Sequence, residues 1–309
     1  MPPRDSSFTI PPDLEGRPLD FAIRTLAELT WGEARRLIQT SKVRVEGHTA
    51  ATATRHVHAG DRVEIVMHAP RDPAATSLPR DAIVYSDTQV VVVHKPPGVS
   101  TVPYDENERG TLDQLVARML HRGRPGPAPS LGVVQRLDKE TSGLVVFART
   151  FAAKKVLGSQ LRLHTMHRRY YAIASGDVIG RTFRTQIVAD RGDGVRGSSR
   201  HGREGQLAVT HVEPVERLRG ATLIACQLET GRTHQIRIHL SEAGHPLVGE
   251  RVYVRGLLGP RLEAPRIMLH ASELGFEHPV TREQVRFEAP LPDDFRGVLA
   301  SLRITPPRR

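Results

Sequence analysis

The stretch GVVQRLDKETSGLVVFART, residues 132–150, places a charged cluster between two apolar runs. Val133-Val134 and residues 144–148 are rich in β-branched side chains, which predicts buried strands on either side. The cluster at 136–140 is then either the tip of a hairpin or a loop that presents a reactive carboxylate, Asp138, in a cleft floor. From the residues alone both interpretations stand, because structural ion pairs also place a carboxylate beside cations such as Arg136 and Lys139.

The composition favours a nucleic-acid partner. The chain has 309 residues, enough for two domains, and a formal net charge of +10 with a pI of about 10.4. No apolar run approaches the ~20 residues of a membrane span, and the N-terminus lacks the apolar core of a secretory signal. Cys226 is the single cysteine, so no disulfide can form within the chain. We therefore expect a cytoplasmic protein that binds no membrane.

Known cofactor and metal motifs are missing from the sequence. His56 and His58 form a pair, but no neighbouring carboxylate or cysteine completes a metal site. Neither of the glycine-rich phosphate-binding loops occurs, and there is no Gly-x-Ser-x-Gly elbow. We expect no cofactor and no metal. Asp138, between two cations, is then the remaining candidate for a nucleophile or a base.

The hydrophobic pattern divides the chain into four segments. We predict a disordered tail at 1–16, a small module at 17–66, a Pro/Ala-rich linker at 67–80 and a larger β-rich domain at 81–309. In the module, residues 17–29 predict one helix, and Thr30 with Glu33 predicts a capping box that starts a second helix. Two short strands, KVRVEG and DRVEIVM, follow. Its cations predict a basic face that binds RNA, and the alternative is an ordinary solvated surface. These cations are Arg35, Arg36, Lys42 and Arg44.

The sequence pattern of the larger domain predicts several strands and two helices. TQVVVVHK, LVVFART, RRYYAIASG and ATLIACQLE predict strands. Residues 150–163 predict one helix, and THQIRIHLSEAG predicts another that ends at Gly244. Residues 190–205 predict a basic, glycine-rich loop.

Several ordered motifs resemble the RluA-type family of RNA pseudouridine synthases. Gln135-Arg136-Leu137-Asp138 followed by Thr141-Ser142-Gly143-Leu144 is similar to the family's His-Arg-Leu-Asp and Thr-Ser-Gly-Leu, with Gln135 in the place of histidine. The Lys-Pro-Pro-Gly turn, the RRYYAIASG block and the block ETGRTHQIRIHLSEAGHPLVGE also match. The last block ends in Glu250 where the family has aspartate. The resemblance spans residues 81–295.

Residues 17–66 resemble an S4 RNA-binding domain, although Ser41 and Glu46 stand where glycine and asparagine are usual. The two resemblances together imply an α+β protein. The catalytic domain would have a mixed, mostly antiparallel sheet with helices around a basic cleft, and the N-terminal domain would be a small α/β module. We expect a monomer that acts on RNA without a cofactor. Large-subunit ribosomal RNA is the expected substrate and transfer RNA the alternative.

The family resemblance also implies roles for single residues. Asp138 would be the nucleophilic or general carboxylate at the target uridine, and Arg237 would pair with it, the alternative for Arg237 being a surface helix position. Tyr170 would stack on the uracil, and Arg136 would fill the gap left by the flipped nucleotide. Further RNA contacts are expected from Lys95 and Arg168.

The chemistry explains these residue types. Conversion of uridine to pseudouridine breaks the N1–C1′ bond and joins C5 to C1′, so the nucleotide must leave the stack. Cleavage of a glycosidic bond builds positive charge on the sugar, which an aspartate can stabilise or trap. Two rival classes remain from the sequence: a non-catalytic RNA-binding or ribosome-assembly factor, and an RNA base hydrolase, which would need a group to position water.

Overall fold

The computed structural model describes residues 5–40, 42–50, 55–67, 78–104, 108–192, 194–199, 204–254, 262 and 264–303. The chain forms two compact units, Met1–Leu78 and Pro79–Arg309. Within the described ranges, no helix is long and apolar enough to cross a membrane. The same ranges contain no group of three His, Cys, Asp or Glu side chains that could hold a metal ion.

The smaller unit packs two helices on a four-stranded antiparallel sheet. Its strands are β1 (Ser6–Thr9), β2 (Val43–Val45), β3 (His48–Thr49) and β4 (Arg62–Ile65), in the order β1-β4-β2-β3. Its helices are α1 (Leu19–Leu26) and α2 (Trp31–Gln39). Apolar residues at helical spacing on α1 and α2 and at alternate positions on β2 and β4 form one buried core.

The predicted capping box is confirmed. Thr30 accepts from the Glu33 amide through its hydroxyl, and the Glu33 carboxylate accepts from the Thr30 amide at 2.9 Å. Two of the amides that a helix start leaves unpaired are therefore satisfied, and α2 begins where the sequence predicted.

The prediction of a disordered tail is wrong for residues 5–16. β1 pairs with β4 in antiparallel register, so the first strand forms an edge of the sheet. A short 3-10 turn at Pro12–Leu14 follows, and Ile10 and Leu14 are buried in the core of the unit. Burial of these apolar side chains compensates for ordering a polar segment. Residues 1–4 lie outside the described part, as do Ser41 and residues 68–77 of the predicted linker.

The larger unit contains eleven strands and four helices in its described part. The strands are β5 (Ile83–Ser86), β6 (Val90–Lys95), β7 (Gly132–Val133), β8 (Ser142–Ala148), β9 (His167–Ser175), β10 (Arg181–Val188), β11 (Gly197–Ser198), β12 (Gln206–Leu218), β13 (Ala221–Leu228), β14 (Leu269–Glu277) and β15 (Gln284–Glu288). The helices are α3 (Leu112–His121), α4 (Phe151–Arg162), α5 (Gln235–Glu242) and α6 (Asp293–Leu302).

These strands form one mixed sheet in the order β11-β10-β12-β13-β9-β14-β8-β6-β5, with β15 paired to β14 and β7 paired to β8. β14 runs parallel to β8, and the other named strand pairs in the described sheet are antiparallel. The predicted mixed, mostly antiparallel sheet is therefore confirmed. So are the predicted helix at 150–163 and the helix that ends before Gly244, which adopts φ +85°.

Three apolar clusters attach the helices to the sheet. α4 packs on β6, β8 and β14, and α6 packs on β9 and β13 through Phe295 and Leu299. α5 contributes Ile238 to a third cluster that contains Tyr253. The loops before β8 and around α5 consequently start from rigid elements, which is what a precise site requires.

Candidate active site

The loop that carries Asp138 connects two paired strands. β7 pairs with β8, so residues 134–141 form the connection of a hairpin. Gln135 and Leu137 are buried, whereas Arg136 is exposed. The Asp138 side chain is 24% exposed. The two interpretations of this segment therefore describe the same element, a hairpin connection that also presents a carboxylate.

Backbone hydrogen bonds hold the loop on both sides of Asp138. The Thr101 hydroxyl accepts from the Leu137 amide at 3.1 Å and donates to the Leu137 carbonyl at 2.8 Å. On the other side, the Gly98 amide donates to the Lys139 carbonyl at 2.8 Å. The residues before and after the carboxylate are thus fixed to the segment 98–101.

Lys95, at the end of β6, is completely buried. Its ammonium donates to the carbonyls of Pro96, Val99 and Lys139 at 3.0, 2.7 and 2.9 Å. Burial lowers the pKa of Lys95 to about 7, and Asp138 acts in the opposite direction. Because its three donors are used by backbone carbonyls, none remains for a phosphate. The expectation that Lys95 contacts RNA is therefore corrected: the side chain links β6 to the loop that carries Asp138.

A second buried cation, Arg266, connects the far end of the loop to β14 and α6. Its Nη1 donates to the carbonyls of Glu140 and Leu269, each at 3.1 Å, and its Nη2 donates to the Ser142 hydroxyl at 3.0 Å. Asp294 of α6 accepts from its Nε and Nη2 at 2.6 and 3.0 Å. The fork of the guanidinium thus joins three segments that are distant in sequence.

Two glycines allow backbone segments to approach residues 266–271. A Cβ on Gly143 would lie 2.1 Å from the Ala271 carbonyl oxygen, and one on Gly249 would lie 1.9 Å from the Arg266 carbonyl oxygen. Both glycines also have positive φ, +117° and +83°. A side chain at either position would displace the start of β8 or the segment before Glu250.

Arg237 lies on α5 and is buried, with its side chain 7% exposed, which rejects the surface alternative. Its Nη1 lies 3.4 Å from Oδ2 of Asp138, so the structure brings these two predicted residues together. Its shorter bonds go to Glu250, from Nε to Oε2 at 2.7 Å and from Nη2 to Oε1 at 2.9 Å. One guanidinium therefore bridges a fully enclosed carboxylate and a partly exposed one.

Glu250 was recognised in the sequence only as a departure from the family pattern. In the structure, Glu250 accepts the two shortest hydrogen bonds of the Arg237 side chain and holds it in place. Its Oε1 also accepts from the amides of Arg251 and Val252, each at 2.9 Å. Burial acts to raise the pKa of Glu250, but the Arg237 guanidinium and these amides outweigh it and hold the pKa below its ordinary value.

Neither His234 nor Tyr253 was predicted as a site residue from the sequence. Nδ1 of His234 lies 2.7 Å from the Tyr253 hydroxyl, and Nε2 lies 3.9 Å from Oδ2 of Asp138. The Arg237 guanidinium carbon lies 5.1 Å from the centre of the Tyr253 ring. A usable signal was present, because His234 stands three residues before Arg237 and therefore near it on a helical path.

Tyr170 and Arg168 project from β9 two residues apart, hence on the same face. Burial raises the pKa of the Tyr170 hydroxyl, Arg168 opposes that shift and Asp138 adds to it. Cys226, opposite Tyr170 on β13, is buried there.

Arg168 does not reach the surface, because it is only 4% exposed. Its Nη2 donates to the Glu229 carbonyl at 2.7 Å, and Gly231 leaves room for it, since a Cβ there would lie 2.8 Å from Nη1. Its Nε has no hydrogen-bond partner among the described residues. The expected RNA contact is therefore corrected: Arg168 is a buried cation behind Tyr170.

The remaining predicted RNA-binding residues are less buried. Arg136 is exposed in the loop that carries Asp138. In the smaller unit, Arg36 is exposed and Lys42 and Arg44 are half-buried on and before β2. Arg35 donates to the buried Asp20 carboxylate at 2.9 Å and lies over the ring of Trp31.

Comparison with known proteins identifies the family of the chain. Residues 89–242 match the model of the family described as RNA pseudouridylate synthase. The chain is 38% identical over 272 residues to the uncharacterized RNA pseudouridine synthase YlyB of Bacillus subtilis, covering 86% of this chain and 87% of that protein. The chain therefore belongs to the RNA pseudouridylate synthase family, and it is an isomerase. The resemblance of its catalytic motifs is confirmed.

Further relatives have more specific names. The chain is 33% identical over 318 residues to the ribosomal large subunit pseudouridine synthase D of Xanthomonas campestris, covering 97% of this chain and 94% of that protein. It is 43% identical over 232 residues to the protein of that name from Neisseria meningitidis, covering 72% and 61%. Among solved structures, human RNA pseudouridylate synthase domain containing 4 matches with a TM-score of 0.58 and 25% identity, over 74% of this chain and 95% of the human one.

Proposed function

We propose that the protein converts specific uridines of large-subunit ribosomal RNA to pseudouridine. The observation that carries this proposal is the Asp138 carboxylate, partly open to solvent and 3.4 Å from the buried Arg237. The names of the relatives from Xanthomonas campestris and Neisseria meningitidis support the choice of ribosomal RNA. Transfer RNA is the alternative substrate.

The reaction requires that the target nucleotide leave the stack, because the sugar carbon C1′ is otherwise inaccessible. The N1–C1′ bond breaks, the uracil turns, and C5 joins C1′. The proton on C5 leaves and N1 gains one, so no atom is lost from the strand. Asp138 acts on the sugar as positive charge develops there, either by forming a bond to it or by removing a proton.

One carboxylate with an arginine partner suits an isomerase better than a hydrolase. A glycosidase that activates water uses two carboxylates that flank the scissile bond. Here the second carboxylate, Glu250, is only 1% exposed on its side chain and is occupied by Arg237. It therefore has no free lone pair directed at a water molecule beside the substrate. The detached uracil is thereby protected from loss.

Tyr170 and Arg136 have complementary parts in this proposal. The buried Tyr170 provides an aromatic face for the uracil, and its hydroxyl stays protonated because burial raises its pKa. Arg136, on the exposed side of the same loop as Asp138, is free to enter the space that the flipped nucleotide vacates. Arg237, held by Glu250, keeps a positive charge beside Asp138.

The smaller unit is proposed to be an S4-like RNA-binding module. Its cations lie on α2 and β2, and each phosphate that they neutralise would release counterions. A net charge of +10 supports a polyanionic partner for the whole chain. We further propose that the protein acts as a monomer in the cytoplasm.

The test treats large-subunit ribosomal RNA transcripts and transfer RNA with wild-type protein and with the Asp138→Asn variant. The expected result is an RNA of unchanged intact mass that contains a C-linked uridine isomer, formed by wild type only. Free uracil in proportion to lost uridine would identify a hydrolase. Tight binding without any change in either RNA would identify a binding factor. Mapping of modified uridines in cells with and without the gene then locates the site.

A further inference from the structure

His234 occupies a conformation that needs an explanation. It precedes the first residue of α5 with φ 60° and ψ 19°, in the left-handed region that side chains other than glycine rarely adopt. Such strained positions concentrate at functional sites, where the surrounding structure maintains them. The consequence here is that the imidazole lies between Tyr253 and Asp138.

Burial and two neighbouring side chains act on the protonation of the His234 imidazole. Burial lowers the pKa of His234, although Asp138 acts against that shift, so the ring is neutral at neutral pH. Burial raises the pKa of Tyr253 to about 12, so its hydroxyl keeps its proton. A lone pair on Nε2 would repel the Asp138 carboxylate. With the ring proton on Nε2, Nδ1 accepts from the Tyr253 hydroxyl, which lies 2.7 Å away.

The two oxygens of Asp138 have different surroundings. Oδ2 lies 3.4 Å from Nη1 of Arg237 and 3.9 Å from Nε2 of His234. Among the residues that the structure describes, no donor is bonded to Oδ1. Both contacts of Oδ2 are longer than an ordinary hydrogen bond, as catalytic contacts often are before the substrate binds.

We propose that His234 is a positioning residue for Asp138. In the substrate complex its Nε2–H donates to Oδ2, so that Arg237 and His234 together hold this oxygen and Oδ1 is directed at the reacting nucleotide. Tyr253 fixes the tautomer by donating to Nδ1, and its ring also supports Arg237. This inference rests on the proposed role of Asp138 as the reacting carboxylate.

Two substitutions separate this role from a structural one. In His234→Gln the side-chain amide can replace the Nε2 donor. In His234→Asn the amide lies near the place of Nδ1, so the variant can keep the Tyr253 contact and tolerates the left-handed backbone, but it loses the donor to Asp138. We expect kcat of the Asn variant to fall on the order of 10²-fold, the lower end for the loss of one preorganised donor at a reacting centre. RNA affinity should not change, and the Gln variant should recover most of the loss.

A structural role predicts the opposite order, with Asn at least as active as Gln. That order, or equal inactivity of both folded variants, would overturn the proposal. Tyr253→Phe decides the matter if the His234 variants do not fold: it keeps the ring beside Arg237, and kcat should fall because the tautomer is no longer fixed. An unchanged kcat in Tyr253→Phe contradicts the proposal. Asp138→Asn runs in the same assay, since an active Asp138→Asn would refute the proposed role of Asp138 and not only that of His234.

Discussion

Replacement of Glu250 by glutamine removes a charge from the most enclosed part of the site. The side chains of Glu250 and Arg237 are 1% and 7% exposed and share two hydrogen bonds of 2.7 and 2.9 Å. In Glu250→Gln the side chain keeps its size, but the guanidinium loses its closest negative partner. Arg237 then depends on Asp138, whose Oδ2 lies 3.4 Å away.

The expected loss of stability in Glu250→Gln follows from this geometry. Removing one partner of a buried ion pair costs about 3–5 kcal/mol, because the other charge is left uncompensated. Asp138 compensates in part, so we expect a loss of about 3 kcal/mol in the free energy of unfolding, at the lower end of that range. For a unit of this size, about 2–4 °C per kcal/mol gives a fall of about 6–12 °C in melting temperature. Glu250→Asp keeps the charge and should cost only about 1 kcal/mol.

The assay is thermal unfolding of the full chain followed by far-UV circular dichroism. Trp31, the single tryptophan, lies in the smaller unit, so its fluorescence supplies an internal reference for that unit. The pKa of Glu250 is below its ordinary value of 4.5 in the folded state. Its contribution is therefore complete above pH 4.5 and disappears as the pH falls through the folded pKa. The difference in melting temperature between wild type and Glu250→Gln should therefore become smaller as the pH falls through the folded pKa of Glu250.

Two outcomes would refute this reasoning. One is a Glu250→Gln variant that melts with wild type at neutral pH, which would mean that Arg237 is not dependent on its buried partner. The other is a Glu250→Asp variant as unstable as Glu250→Gln, since that result would assign the effect to side-chain length and not to charge.

Three further outcomes are expected. Asp138→Asn should abolish turnover and leave the Kd for RNA unchanged, as measured on the same transcript, and appreciable turnover would remove Asp138 from the mechanism. Lys95→Met should lower the free energy of unfolding by about 1–3 kcal/mol in a denaturant titration, because buried carbonyls lose their donor; an equally stable variant would contradict the linking role. Changing Arg36, Lys42 and Arg44 together to glutamine should reduce the slope of log affinity against log salt, by about 0.7–0.9 for each lost phosphate contact. An unchanged slope would mean that these cations do not contact RNA.

Local patterns of the sequence predicted local structure well. The capping box at Thr30 and Glu33, the apolar run of β8 and the glycine at 244 each act within a few residues, so their physical causes are visible in the sequence. β1 was missed because SSFT lacks an apolar run, and its order depends on pairing with β4, more than fifty residues away.

The pairing of Asp138 with Arg237 could be predicted because sequence motifs mark both residues. Contacts that depend on burial in the folded chain could not be predicted. The predicted RNA contacts of Lys95 and Arg168 were wrong because both cations are buried, which is unusual for these residue types. Only the tertiary structure shows that three carbonyls surround the Lys95 ammonium and that the Arg168 guanidinium lies against Gly231. Glu250 is a similar case, because its partner Arg237 is identified only when α5 and the segment after Gly249 meet.

The position of β14 has a consequence for biosynthesis. This strand is synthesised after β5–β13, yet it lies in the middle of the sheet, between β8 and β9. Until residues 269–277 emerge, the strands before α4 and those after it have no common neighbour, and β9 and the Ser142–Gly143 start of β8 lack their β14 partner. The Asp138 loop enters β8 and Tyr170 lies on β9, so we expect the nascent enzyme to assemble its site only after residues 269–277 have been made. A chain that stops before β14 is therefore expected to be inactive and prone to aggregation.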